Sequence, residues 1–208
     1  MDRAFILALC WTLLITGIVN AQTRDKDKEP PQIINPALRS ELLDRLEQDQ
    51  NIRGELMKKG LKDPDPVLLK KMQDIDDANA DRMVDIINQY GWPGPALVGR
   101  DGTEAAFVLI QHADRELQEN VLPFIKRAYL DRELPGQDYA LLVDRILIGK
   151  KKLQRYGTQV HFNGKEPEPD PIEDPANVDK RRAVLGMPPL ADYLKDLKKQ
   201  YFPDEKSQ

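Results

Sequence analysis

The sequence predicts a mainly α-helical, compact multi-helix domain with one short β-hairpin or strand after the fifth helix. Three observations carry that expectation. Asn35-Pro36, Asp65-Pro66 and Asp174-Pro175 repeat one helix start: a side-chain oxygen able to cap, then proline at the first helical position. Apolar residues recur at helical spacing behind the first two of these starts. Only one stretch, Tyr156 to Phe162, alternates in the manner of a strand.

Taken in order, the first helix carries Leu38, Leu42, Leu43 and Leu46 and can run through Gly54 towards Gly60. The second spans Pro66 to about Tyr90 with the stripe Leu68, Met72, Ile75, Met83, Ile86 and Tyr90, and Asn79 interrupts it. Gly91-Trp92-Pro93-Gly94-Pro95 breaks the chain. Asp101 and Glu104 have capping-box spacing before a third helix, apolar nearly all round, that ends in Gln111-His112. A fourth helix is expected over Asn120 to Arg132 with Pro123 in its first turn, and a fifth over Gln137 to Lys150. Tyr156 to Phe162 would form a hairpin arm turning at Asn163-Gly164, with Gln159 and His161 on one face and Tyr156 and Thr158 on the other. Lys165 to Pro175 reads as extended loop. Short helices over Ala176 to Leu185 and Pro189 to Tyr201 close the chain around the stop Gly186…Pro188-Pro189.

The N-terminus has a different character. Arg3 precedes an apolar run from Ala4 to Val19, and Val19-Asn20-Ala21 offers small residues before Gln22. That is the plan of a cleaved signal peptide over 1–21, followed by a flexible tether over 22–35, a single helical domain over 36–202 and a disordered tail over 203–208. The expected location is therefore secreted or periplasmic. Cleavage would remove Cys10, the only cysteine, so neither thiol chemistry nor an internal disulfide remains.

Composition excludes several classes. A net charge of −4 is wrong for a nucleic-acid binder. Ser40 and Ser207 are the only serines, and neither has a nucleophile-elbow context. No phosphate loop or dinucleotide fingerprint occurs. His112, Glu116 and His161 could hold zinc by type and spacing, but the pattern is weak, and neither metal nor cofactor is expected. The expected partner is a small polar or cell-envelope ligand, without membrane attachment after cleavage.

Polar residues in apolar helices mark the candidate site. Gln111, His112 and Asp114 end the third helix, and Asp144 and Arg145 interrupt the fifth. Burying a charge without a partner costs several kcal/mol or more. Asp144 and Arg145 diverge by about 100° on a helix, so each needs a partner from elsewhere. Tyr156, Thr158, Gln159, Asn79 and Trp92 are the candidates around them. In that reading His112, Asp144 and Asp114 do acid–base chemistry, Arg145 holds an anionic group, and the others orient a ligand. A binding module, and a scaffold whose polar network is purely structural, are the competing readings.

The same residues carry a resemblance. Gly91-Trp92-Pro93, Gln111-His112-Ala113-Asp114, Leu122-Pro123, Asp144-Arg145, Tyr156-Gly157-Thr158-Gln159 and the closing Arg181-Arg182-Ala183…Gly186-Met187-Pro188-Pro189-Leu190…Tyr193 resemble an uncharacterised bacterial family known only as a domain of unknown function. The resemblance groups these residues as a unit but implies no reaction.

Overall fold

The computed structural model describes residues 33–59 and 64–202. The expected signal peptide, all but the last three residues of the tether, and the tail lie outside the described residues. Among the described residues there are seven α-helices and one two-stranded antiparallel hairpin, so the chain is mainly α. No described helix is long and apolar enough to cross a membrane. The described residues divide into two compact units between Ala113 and Asp114.

The first unit holds α1 (Pro36–Lys59), α2 (Pro66–Tyr90) and α3 (Pro95–His112). Asn35 and Asp65 cap α1 and α2 as expected: Asn35 Oδ1 accepts from Leu38 N–H, and Asp65 Oδ1 from Val67 and Leu68 N–H. Helix α1 passes unbroken through Gly54 and packs on both α2 and α3. Its buried face is Leu38, Leu42, Asp49, Ile52, Arg53 and Leu56, so a carboxylate and a guanidinium occupy core positions. Ile52, Leu56 and Met72 pack together, flanked by Leu68, Leu69 and Ile75.

Helix α3 corrects the expected capping box. It begins at Pro95 and kinks at Gly99, whose φ of 76° takes it out of the helical region. A Cβ there would lie 2.9 Å from Asp101 Oδ1 and 3.0 Å from Ile33 Cδ1, so only glycine fits. Asp101 accepts from Gly102 N–H and is held by Arg39, whose Nε lies 2.9 Å from Oδ1. From Ala105 to Gln111 every residue of α3 is buried, in keeping with its all-round apolarity.

The second unit holds α4 (Arg115–Leu130), α5 (Gly136–Gly149), β1 (Val160–Asn163), β2 (Glu166–Pro169), a 3-10 turn at Pro175–Asn177, α6 (Val178–Val184) and α7 (Leu190–Tyr201). Helix α4 starts five residues earlier than expected, because Asp114 caps it by accepting from Leu117 N–H at 2.8 Å. Pro123 is therefore inside α4 rather than in its first turn. The hairpin pairs Asn163 with Glu166, which makes Gly164 and Lys165 its two turn residues, with Gly164 at φ 63°. Its arm is shorter than expected. Tyr156 to Gln159 form a loop, not strand, so the alternating faces assigned to them do not exist. Part of the expected loop after Lys165 is instead β2.

Candidate functional site

Two polar clusters form, one in each unit, and they are built differently. In the first unit the centre is His112, the last residue of α3. Its Nδ1 lies 2.8 Å from Asp49 Oδ1 on α1. Arg53, one turn along α1, places Nε 3.1 Å from the same oxygen and 3.1 Å from His112 Nδ1. Its Nη2 reaches Asp76 of α2 at 2.5 Å, and its Nη1 faces the Met72 sulfur at 3.1 Å. Three helices thus supply one network. Its side chains are almost closed off: Asp49 is 0% exposed, His112 4%, Arg53 5% and Asp76 11%.

The short Nδ1–Asp49 contact and the guanidinium beside it restrict the imidazole. Arg53 Nε–H already has Asp49 Oδ1 as an anionic acceptor. Nδ1 is then best used as a donor to the same carboxylate, since a hydrogen bond to a charged acceptor is the stronger one. That leaves Nε2 as the basic nitrogen.

The two carboxyls of this cluster are pushed apart. Burial raises the Asp49 carboxyl, but the hydrogen bond and charge of His112, with Arg53, outweigh it and hold Asp49 below the usual carboxylate range. At Asp76 burial wins over Arg53 and His112, and the carboxyl is held above that range.

Asp49, Asp76 and His112 offer three ligand atoms all within 4.8 Å of one another, a set a divalent cation could use. Arg53 already stands among them. A metal ion would have to displace a guanidinium that is itself buried, so this donor set fits its own arginine better than a metal. Glu116 and His161, grouped with His112 in the sequence, belong to the second unit. His161 is exposed on the hairpin, between Asp170 at 3.1 Å and Glu168 at 3.6 Å.

In the second unit Asp144 of α5 is fully buried. Its Oδ1 accepts from Arg155 N–H at 2.7 Å and Tyr156 N–H at 3.1 Å. Its Oδ2 accepts from Tyr156 N–H at 3.1 Å, Thr158 N–H at 3.0 Å and the Thr158 hydroxyl at 2.9 Å. Burial pushes this carboxyl up, and the donors of Thr158, Arg155 and Tyr156 oppose that. Gln154 completes the loop by accepting from Gln159 N–H and donating to the carbonyls of Gln159 and Asp170.

The other candidates distribute as follows. Tyr156 and Thr158 are buried, and their backbone groups are spent on the Asp144 loop. Gln159 is half-buried, with long contacts from Nε2 to Leu141 O at 3.4 Å and Thr158 Oγ1 at 3.3 Å. Arg145 is half-buried and is not a partner of Asp144. Asp114 is an exposed helix cap. Gln111 is buried in α3. Asn79 is buried in α2, its Oδ1 accepting from Arg45 while Nδ2 has no hydrogen-bond partner among the described residues. The same holds for the buried Trp92 indole N–H. An open depression along α1 is lined by Ala37, Ser40, Glu41, Asp44, Arg45 and Gln48, and there Glu41 accepts from Arg45 and Arg82.

Asp49, Arg53 and Asp76 were not singled out in the sequence. A signal existed for the first. Asp49 falls in the same buried stripe as Leu42, Ile52 and Leu56, a slot where an apolar residue is the rule. Asp76 lies amid Asp74 and Asp77, and nothing local separates it from a solvated face.

A family model described as a family of unknown function (DUF6624) matches residues 36–204. No curated protein and no solved structure matches the chain.

Proposed function

The chain belongs to the family DUF6624, whose function is not known, and from that premise we propose that its first unit carries an acid–base centre. His112 is the proton carrier, Asp49 orients it, Arg53 keeps Asp49 ionised and in place, and Asp76 is the second acid. One observation supports this above all: a histidine nitrogen 2.8 Å from a buried carboxylate, beside a second carboxyl whose environment moves it the opposite way. Groups pushed apart in this manner are how one site holds both a base and an acid near neutral pH. The reaction class that suits is hydrolysis or elimination on a polar substrate. If the N-terminal segment is a cleaved signal peptide, as its pattern reads, that substrate belongs to the cell envelope.

A second reading has its own support. The near-complete burial of all four side chains suits a network that only fixes the register of α1, α2 and α3. Turnover on a panel of esters, amides and glycosides separates the two. The catalytic reading expects a loss of at least a hundredfold in His112→Gln, in a protein that still folds and melts cooperatively. The structural reading expects a large stability loss in that variant and no wild-type turnover to lose.

A further inference from the structure

We infer that the C-terminal segment α6–α7 is a strap on the Arg155–Thr158 loop, with buried Arg182 and buried Asp144 gripping the backbone of Tyr156 from opposite sides. The loop's two sets of backbone groups go to opposite sides. Its amides, from Arg155, Tyr156 and Thr158, all reach Asp144 on α5. Three of its carbonyls reach the strap. Arg155 O accepts from Arg181 Nε at 2.8 Å, Tyr156 O from Arg182 Nη1 at 2.6 Å, and Thr158 O from the Tyr193 hydroxyl at 3.3 Å.

Arg182 makes this more than loop packing. It is 0% exposed, and no carboxylate lies within ion-pair distance of it among the described residues. Its Nε donates to Pro188 O at 2.7 Å, Nη2 has no hydrogen-bond partner among the described residues, and the Tyr193 ring covers the guanidinium at 4.8 Å. A cation held only by carbonyls and a ring is poorly compensated. Two carboxylates act on it: exposed Asp179, and buried Asp144 across one residue of backbone, where Tyr156 N–H points at the carboxylate and Tyr156 C=O at the guanidinium. The Arg155–Tyr156 peptide group is polarised from both sides, its carbonyl accepting from Arg181 and its N–H donating to Asp144, which strengthens both bonds. The strap also seats closely. Gly157, at φ 70°, approaches Leu190 so nearly that a Cβ would lie 2.9 Å from Leu190 Cδ1. Loop and strap therefore open together, as one cooperative unit.

Native-state hydrogen exchange on the whole protein tests this. In Arg182→Gln the amides of Arg155, Tyr156 and Thr158 should exchange at least tenfold faster, with Val121 and Ile125 of α4 changing much less. Asp144→Asn should accelerate the same three amides at least as much, and the double variant should accelerate them little more than either alone. Tyr193→Phe, the mildest change, should accelerate the Thr158 region two- to fivefold and keeps the test open if Arg182→Gln does not fold. Unchanged loop amides in Arg182→Gln or Tyr193→Phe would overturn the inference. So would a double variant whose acceleration equals the product of the two single ones.

Discussion

The two units solve the same problem, a buried carboxylate inside an apolar helical setting, in opposite ways. Asp144 is surrounded by donors that cannot titrate: peptide N–H groups and one hydroxyl. Asp49 faces a histidine and an arginine. The first arrangement spends every lone pair on shaping one loop, and a carboxylate so engaged has nothing left with which to move a proton. The second couples a carboxylate to a group able to gain or lose one. Burial and low exposure are common to both, so neither marks a reactive site. The nature of the partner does.

Variants can break this contrast. The largest effect is expected from Arg53→Met, which leaves Asp49 and Asp76 buried without their cation. Removing one partner of a buried pair costs about 3–5 kcal/mol, readable by urea denaturation. Asp144→Asn should follow at about 3 kcal/mol, because the new amide hydrogens face donors and strand at least one loop N–H. A value under about 1 kcal/mol would deny Asp144 its structural role. Thr158→Val removes only the hydroxyl donor to Asp144 and should cost about 1 kcal/mol. Asp114→Ala, the loss of an exposed cap on α4, should cost a similar amount, and turnover should survive it.

The pH dependence sharpens the contrast with the smallest effects. Arg82 holds the Glu41 carboxyl down at about 2, against 4.5 for a free glutamate. A lowered folded value contributes stability above the unfolded value, and that stability is lost as pH falls from about 4.5 towards 2. Glu41→Gln should remove this acid-side loss in a series of urea melts. Asp76 has the opposite sign. Its raised carboxyl favours the folded state when protonated, so stability falls as pH rises from the usual carboxylate value through the raised one. Asp76→Asn should flatten that fall and cost less than Asp49→Asn.

Much of the fold was legible because its signals are local. Asn35 and Asp65 cap helices whatever the rest of the chain does, and the stripe of α2 names its own inward face from Leu68 to Ile86, although Tyr90 at its end is exposed. Helix α4 began earlier than expected because its first turn, Arg115 to Asn120, is mostly polar, and Pro123 was the only visible punctuation. Tyr156 to Gln159 imitated a strand by the order of its residue types alone; in the loop Tyr156, Gly157 and Thr158 are all buried. The site divides in the same way. His112 and Asp144 stood out as polar residues within apolar helices. Their partners did not, since the pairing of Asp49 with His112 spans 63 positions and that of Arg182 with the Tyr156 backbone spans 26. No periodicity encodes such distances.

The claim that the first unit, and not the second, carries acid–base chemistry rests on which His112 nitrogen bears the proton. Long-range nitrogen–proton NMR correlations of the imidazole measure this directly. The expected state is Nδ1–H, bonded to Asp49, with Nε2 as the basic nitrogen. An Nε2–H tautomer, with Nδ1 accepting from Arg53, would contradict it and leave His112 a structural member of a charge network.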